Sequence, residues 1–98
     1  MGDITELWRL GANFTVVSSG TSQTVGPVSS QCRAVRISTQ SQSFVEIGKS
    51  PVTASAAGSS LTSAGGFSEI FAINPGESVA VIWGPTTAAG VVTVTELY

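Results

Sequence analysis

The stretch Asn74-Pro75-Gly76-Glu77-Ser78-Val79-Ala80-Val81-Ile82-Trp83 decides the fold of this chain. Pro75 and Gly76 hold the two central positions that a type II turn prefers. The residues after the turn alternate, with Val79, Val81 and Trp83 on one face and Ala80 and Ile82 on the other. Both faces are apolar. A strand of this kind is either central in its sheet or has its outer face covered by a neighbouring subunit.

The same period-two alternation recurs on either side, interrupted about every eight to twelve residues by Gly, Pro, Ser or Asn. It predicts an all-β chain folded as a single antiparallel β-sandwich, of jelly-roll-like or immunoglobulin-like strand order. After a tight reversal at Gly65-Gly66, Phe67 to Ile73 alternates with Phe67, Glu69, Phe71 and Ile73 to one side. Downstream, Val92 and Val94 alternate with Thr93 and Thr95 in a strand from Val91 to Leu97, rich in β-prone residues. Cys32 to Thr39 places Val35 and Ile37 on one face, and Ser43 to Gly48 does the same with Val45 and Ile47. Between them, Gln40-Ser41-Gln42 reads as a hairpin connection. Ala12, Phe14 and Val16 share a face in a strand ending at Ser18-Ser19-Gly20, and Gln23 to Gly26 is a short strand stopped by Pro27. From Val52 to Gly66 the chain is nearly all Ser, Thr, Ala and Gly, with Leu61 the one large apolar residue. That composition fits a long surface loop holding one weak strand, or the most mobile part of the protein. Val35, Ile37, Val45, Ile47, Phe71, Val79, Val81 and Val92 are expected to share one core.

Residues 1–11 read as an N-terminal arm and residues 12–98 as the sandwich domain. Asp3 and Glu6 have the spacing of a weak capping box, and Ile4, Leu7, Trp8 and Leu10 load one side of a short helical turn. The same residues could equally form an edge strand. Four large apolar side chains in so short a segment either reach a neighbouring molecule or fold onto the chain's own core.

At 98 residues the chain is sized for one domain. Charged residues make up 10%, against about 25% in typical globular domains. The outward positions therefore fall to small, weakly polar residues, a surface suited to packing against other protein. A net charge of −2 supplies no field to attract phosphates, which argues against a nucleic-acid partner. With no histidine and one cysteine, the chain can assemble neither a Ser/His/Asp or Cys/His nucleophile nor a thiolate or imidazole zinc site. Asp3, Glu6, Glu46, Glu69, Glu77 and Glu96 are scattered singly. The expectation is a protein that is not an enzyme and uses no cofactor or metal. Cys32 opens an apolar stretch and reads as a small buried hydrophobe ahead of a reactive thiol. No apolar run approaches the roughly 18 residues that cross a bilayer, and the first residues lack a secretory pattern. A soluble protein made in the cytoplasm, with no membrane partner, is expected. On that reading the sequon Asn13-Phe14-Thr15 is not a glycosylation site.

Arg33-Ala-Val-Arg-Ile, the polar tip after it, Ser43-Phe-Val-Glu-Ile-Gly-Lys, and Gly65-Gly-Phe-Ser-Glu-Ile-Phe together resemble the small β-sandwich virion proteins of tailed bacteriophages. Asn74 to Ile82 and Val92-Thr93-Val94-Thr95 extend the resemblance, which covers Cys32 to Glu96 and leaves out the first thirty or so residues. It implies a non-enzymatic capsid decoration (cement) protein on the virion surface. Such a protein, made in the host cytoplasm, stabilises the head by bridging major capsid protein subunits, commonly as a homotrimer. The subunit or capsid interface is then expected at Ile4, Leu7, Trp8, Leu10, Ile82 and Trp83. The alternative is a receptor- or carbohydrate-binding β-module of a phage tail or fibre, for which Trp8, Trp83 and Tyr98 are the candidate aromatics.

Overall fold

Strands form where the alternation places them. In the computed structural model, which describes residues 10–55, 59–61, 68–85 and 87–98, eight follow in chain order: β1 (Leu10–Val17), β2 (Gln23–Val25), β3 (Ala34–Thr39), β4 (Ser43–Gly48), β5 (Ser60–Leu61), β6 (Ser68–Ala72), β7 (Ser78–Trp83) and β8 (Val91–Leu97). They make two antiparallel four-stranded sheets, ordered β1-β8-β3-β6 and β2-β7-β4-β5. The pairs β1·β8, β2·β7, β3·β6 and β4·β5 are nested, first strand with last and inward from there. Two further pairs, β3·β8 and β4·β7, complete the sheets. This is the order of a jelly roll, an antiparallel ribbon rolled over itself, and not that of an immunoglobulin sandwich.

The order overturns one local expectation. Residues 40–42 do not close a hairpin, because β3 and β4 lie in different sheets. Alternation says which face of a strand is apolar but not whether the next strand lies beside it or across the core from it. Gln40 instead continues the pairing with β8 and Gln42 bonds just beyond β7: the Gln40 N–H donates to the Val91 carbonyl at 3.0 Å and the Gly84 N–H to the Gln42 carbonyl at 3.0 Å. Val35 and Ile37 therefore meet Val45, Val79 and Val81 in one buried cluster with Val92 and Val94, and Ile47 and Phe71 pack on it half-buried.

The turn before β7 is as expected. Gly76 has φ +84°, which glycine alone adopts freely, and the Glu77 N–H donates to the Asn74 carbonyl at 3.1 Å. β7 is central, between β2 and β4.

β1 begins at Leu10, two residues before the expected start of the sandwich domain, so Leu10 and Gly11 belong to the sheet. Its register shifts between Leu10 and Asn13, where three steps of β1 face two of β8. This bulge removes Ala12 from the face it was expected to share with Phe14 and Val16. Ala12 is exposed, while Phe14 and Val16 pack on the core. Ile4, Leu7 and Trp8, with Gly65, Gly66 and Phe67, lie outside the described residues.

Candidate interaction surface

Residues 52–55 and Ser59 lie over the outside of the β2-β7-β4-β5 sheet. The Thr24 hydroxyl donates to the Val52 carbonyl at 3.2 Å, the Ala54 N–H to Ser22 Oγ at 2.9 Å, and the Ser59 hydroxyl to Glu46 Oε1 at 2.9 Å. Thr24 and Glu46 flank Ala80 on its two neighbouring strands. Ala80 and Ser78 are accordingly buried although they face outward, and so is Ala54. Small residues permit the close approach. The second apolar face of β7 is thus covered, next to these residues, by the same chain.

The outside of the β1-β8-β3-β6 sheet has a different character. In its register, Thr15, Thr93, Ser38 and Ser68 form one row across the four strands, and Asn13, Thr95, Arg36 and Ile70 the next. Leu10, Leu97, Ala34 and Ala72 form a third, and Val17 pairs with Val91 near the other end. Arg36 is the one charged residue among these. Leu10, Val17 and Ile70, the large hydrophobic side chains exposed among the described residues, all stand on this face, at 65%, 53% and 55% exposure. Neither Asn13 nor Thr95 is idle: the Thr95 hydroxyl donates to Asn13 Oδ1 at 2.6 Å.

Of the expected interface residues, Leu10 lies on this face and the other two described ones do not. Ile82 faces out of the opposite sheet beside Phe44, its strand partner. Trp83 points the other way at the end of β7. Its N–H donates to the Ser19 carbonyl at 3.0 Å, and its ring lies so close to Gly20 that a Cβ there would come within 2.9 Å of it. With Gly20 close against its ring and half its surface buried, Trp83 is a rim aromatic and a poor platform for a sugar.

At the Leu97 end of the sandwich a polar cluster closes the core. Glu96 is 2% exposed. It continues the inward parity of Val92 and Val94, the signal by which it could have been recognised in the sequence. Its Oε2 accepts the Ser29 N–H at 3.1 Å and its Oε1 the Tyr98 hydroxyl at 2.7 Å, while the Ser29 hydroxyl donates to the Tyr98 oxygen at 3.0 Å. The Glu96 bond, ahead of other causes, pushes the Tyr98 phenol above its ordinary range. Cys32 is buried nearby with its thiol donating to the Ala34 carbonyl at 3.2 Å, and burial raises its pKa. A thiol held in its neutral form is a weak nucleophile, and both oxygens of Glu96 are engaged in holding the chain. Among the described residues no group of three His, Cys, Asp or Glu side chains could hold a metal ion. The cluster is a clasp for β8.

No protein-family model, curated protein or solved structure matches this chain.

Proposed function

We propose that this protein is a non-enzymatic structural component of a tailed-bacteriophage virion, a capsid decoration protein that bridges major capsid protein subunits through the outer face of its β1-β8-β3-β6 sheet. The observation that carries the reading is the gathering of Leu10, Val17 and Ile70 on one face where Arg36 is the only charge among the described residues. A flat, neutral surface of this kind loses little on desolvation and gains from burying its apolar side chains. The jelly roll is compatible with virion proteins, but it serves many other functions and does not select this one. The proposed homotrimer uses the same face, since the outside of β7 is already covered.

The test uses heads assembled from a major capsid protein encoded beside this chain. Wild-type protein should sediment at three times 9.9 kDa and bind the heads. Val17→Lys with Ile70→Lys should lose head binding at least tenfold while keeping its strand circular dichroism. Equal binding by the double variant, or a genome with no capsid gene nearby, would sink the proposal.

A further inference from the structure

A strand at the end of a sheet turns half of its backbone groups outward, where a further strand can bond to them. Among the described residues β1, β6, β2 and β5 end the two sheets. Three of these are blunted. β2 has three residues and runs into Gly26-Pro27, and β5 has two. β6 carries the half-buried Glu69 on the side from which Phe71 packs on the core. Short strands and inward charges discourage further pairing. β1, by contrast, has eight residues with neither charge nor proline. Its bulge lies between Leu10 and Asn13 and leaves Asn13 to Val17 in regular register with β8. The direction of its backbone groups follows from one bond. The Ser18 N–H donates to the Gly90 carbonyl at 2.9 Å, one step beyond the Val17·Val91 pair. Bonded and non-bonded pairs alternate along an antiparallel ladder, so Phe14 and Val16 bond to β8, and Asn13, Thr15 and Val17 aim their N–H and C=O groups away from it. The Val91 carbonyl, which accepts from Gln40 on the other side of β8, agrees with that phase.

We propose that β1 is a self-pairing edge, through which two copies of this chain join antiparallel about a two-fold axis at Thr15, so that their four-stranded sheets become one. In that register Thr15 exchanges both backbone bonds with its twin, and Asn13 and Val17 exchange theirs with each other. All three outward-aimed residues of each copy are used. Moving the axis one residue, to Phe14 or Val16, leaves Val17 or Asn13 without a match. The occupant is a second copy because the strand complements itself. Thr15 comes to lie beside Thr15 and Asn13 beside Val17, a threonine pair is a favourable cross-strand neighbour, and no like charges meet. The axis stands perpendicular to the sheet, so the two outer faces run on into one another. This inference goes beyond the virion reading and does not need it. Contacts made through a sheet face leave its edge free, and a trimer held by its outer faces can still pair in this way.

Thr15→Cys in the full chain tests the register, because facing residues of a bonded antiparallel pair lie about 5.5 Å apart at Cα, within disulfide range. Under mild oxidation at sub-millimolar concentration it should give a covalent dimer at several-fold the yield of Thr93→Cys, one strand in on the same face. The wild-type chain, whose Cys32 is buried, is the blank. Asn13→Cys and Val17→Cys should each give little dimer alone and several-fold more when mixed. Equal yields from Thr15→Cys and Thr93→Cys overturn the inference, since they indicate contact through the face. So does a Thr15→Cys yield no higher than the blank, which means that no second copy sits at the edge. If Thr15→Cys fails to fold, judged by strand circular dichroism, the mixed pair decides, and a mixture no better than its components overturns the pairing.

Discussion

Tyr98 donates its phenolic proton to Glu96, two residues back along the chain, at 2.7 Å, and a β-carbon at Gly11 would lie 2.7 Å from the Tyr98 ring. The bond exists only while the phenol is protonated. Its raised pKa therefore stabilises the fold fully below the unfolded value of about 10, and that contribution is lost as pH rises through the folded value. Cys32, raised by burial, acts with the same sign from lower pH. Tyr98→Phe should flatten the alkaline loss of stability relative to wild type, measured by urea unfolding between about pH 8 and 11. Gly11→Ala should imitate it by pushing the ring away. Parallel curves for all three proteins would contradict the assignment.

Thr39 is buried at the end of β3 with its hydroxyl unpartnered. Its strand partner is Val92, on the inner face. Thr39→Val keeps shape and β-branching while removing the unpaired group, so stability should rise by about 1 kcal/mol, read as a higher urea midpoint at unchanged slope. A lower midpoint would show that the hydroxyl has a partner.

Val81 is fully buried between Gln23 and Val45 on β2 and β4. Val81→Ala should cost about 2 kcal/mol through lost burial and the residual cavity. Ile82→Ala, on the half-buried outer side, should cost less. Equal losses would mean that the two faces of β7 are equally packed.

Gly84 has no room for a side chain, since a Cβ would lie 2.5 Å from the Gln42 carbonyl oxygen. Backbone cannot yield as a side-chain tip can, so Gly84→Ala should lose on the order of 1–3 kcal/mol and lower the melting temperature. Gly48→Ala, where the nearest atom is a Val52 methyl at 3.6 Å, is the matched control and should be close to neutral.

The faces of the strands were legible because alternation is a local property: Val79 and Val81, or Val92 and Val94, reveal their inward side without reference to anything distant. The Asn74 to Glu77 turn was legible for the same reason. Pairing was not. Nothing in Gln40-Ser41-Gln42 distinguishes a hairpin from a passage between sheets, and the strand that sits beside β1 lies at the other end of the chain. The β1 bulge was not legible because it depends on register with β8 at the far end of the chain, where Gly11 meets the Tyr98 ring. The cover over Ala80 was hidden by its chemistry, since Ser, Thr and Ala give no periodic signal whether they lie on a sheet or extend into water. Ile82 and Trp83, adjacent in sequence and grouped as one interface, separate onto opposite sides of their strand.

The nested pairing of the strands also governs when this protein can fold. β1 and β2 have no partners among the strands that follow them immediately: each must wait for β8 and β7. During synthesis the first two strands leave the ribosome without a strand partner, and the earliest sheet contact open to the chain is the short β4·β5 pair in its middle. The ribbon then closes outward from that centre, ending with the pair that encloses all the others. Because each outer pair joins residues farther apart than the one before, loop-closure entropy rises along the way, and folding belongs with the slow, milliseconds-to-seconds class of β-proteins. A chain interrupted before Val91 holds β1 without a neighbour, an open edge awaiting a strand from any passing copy.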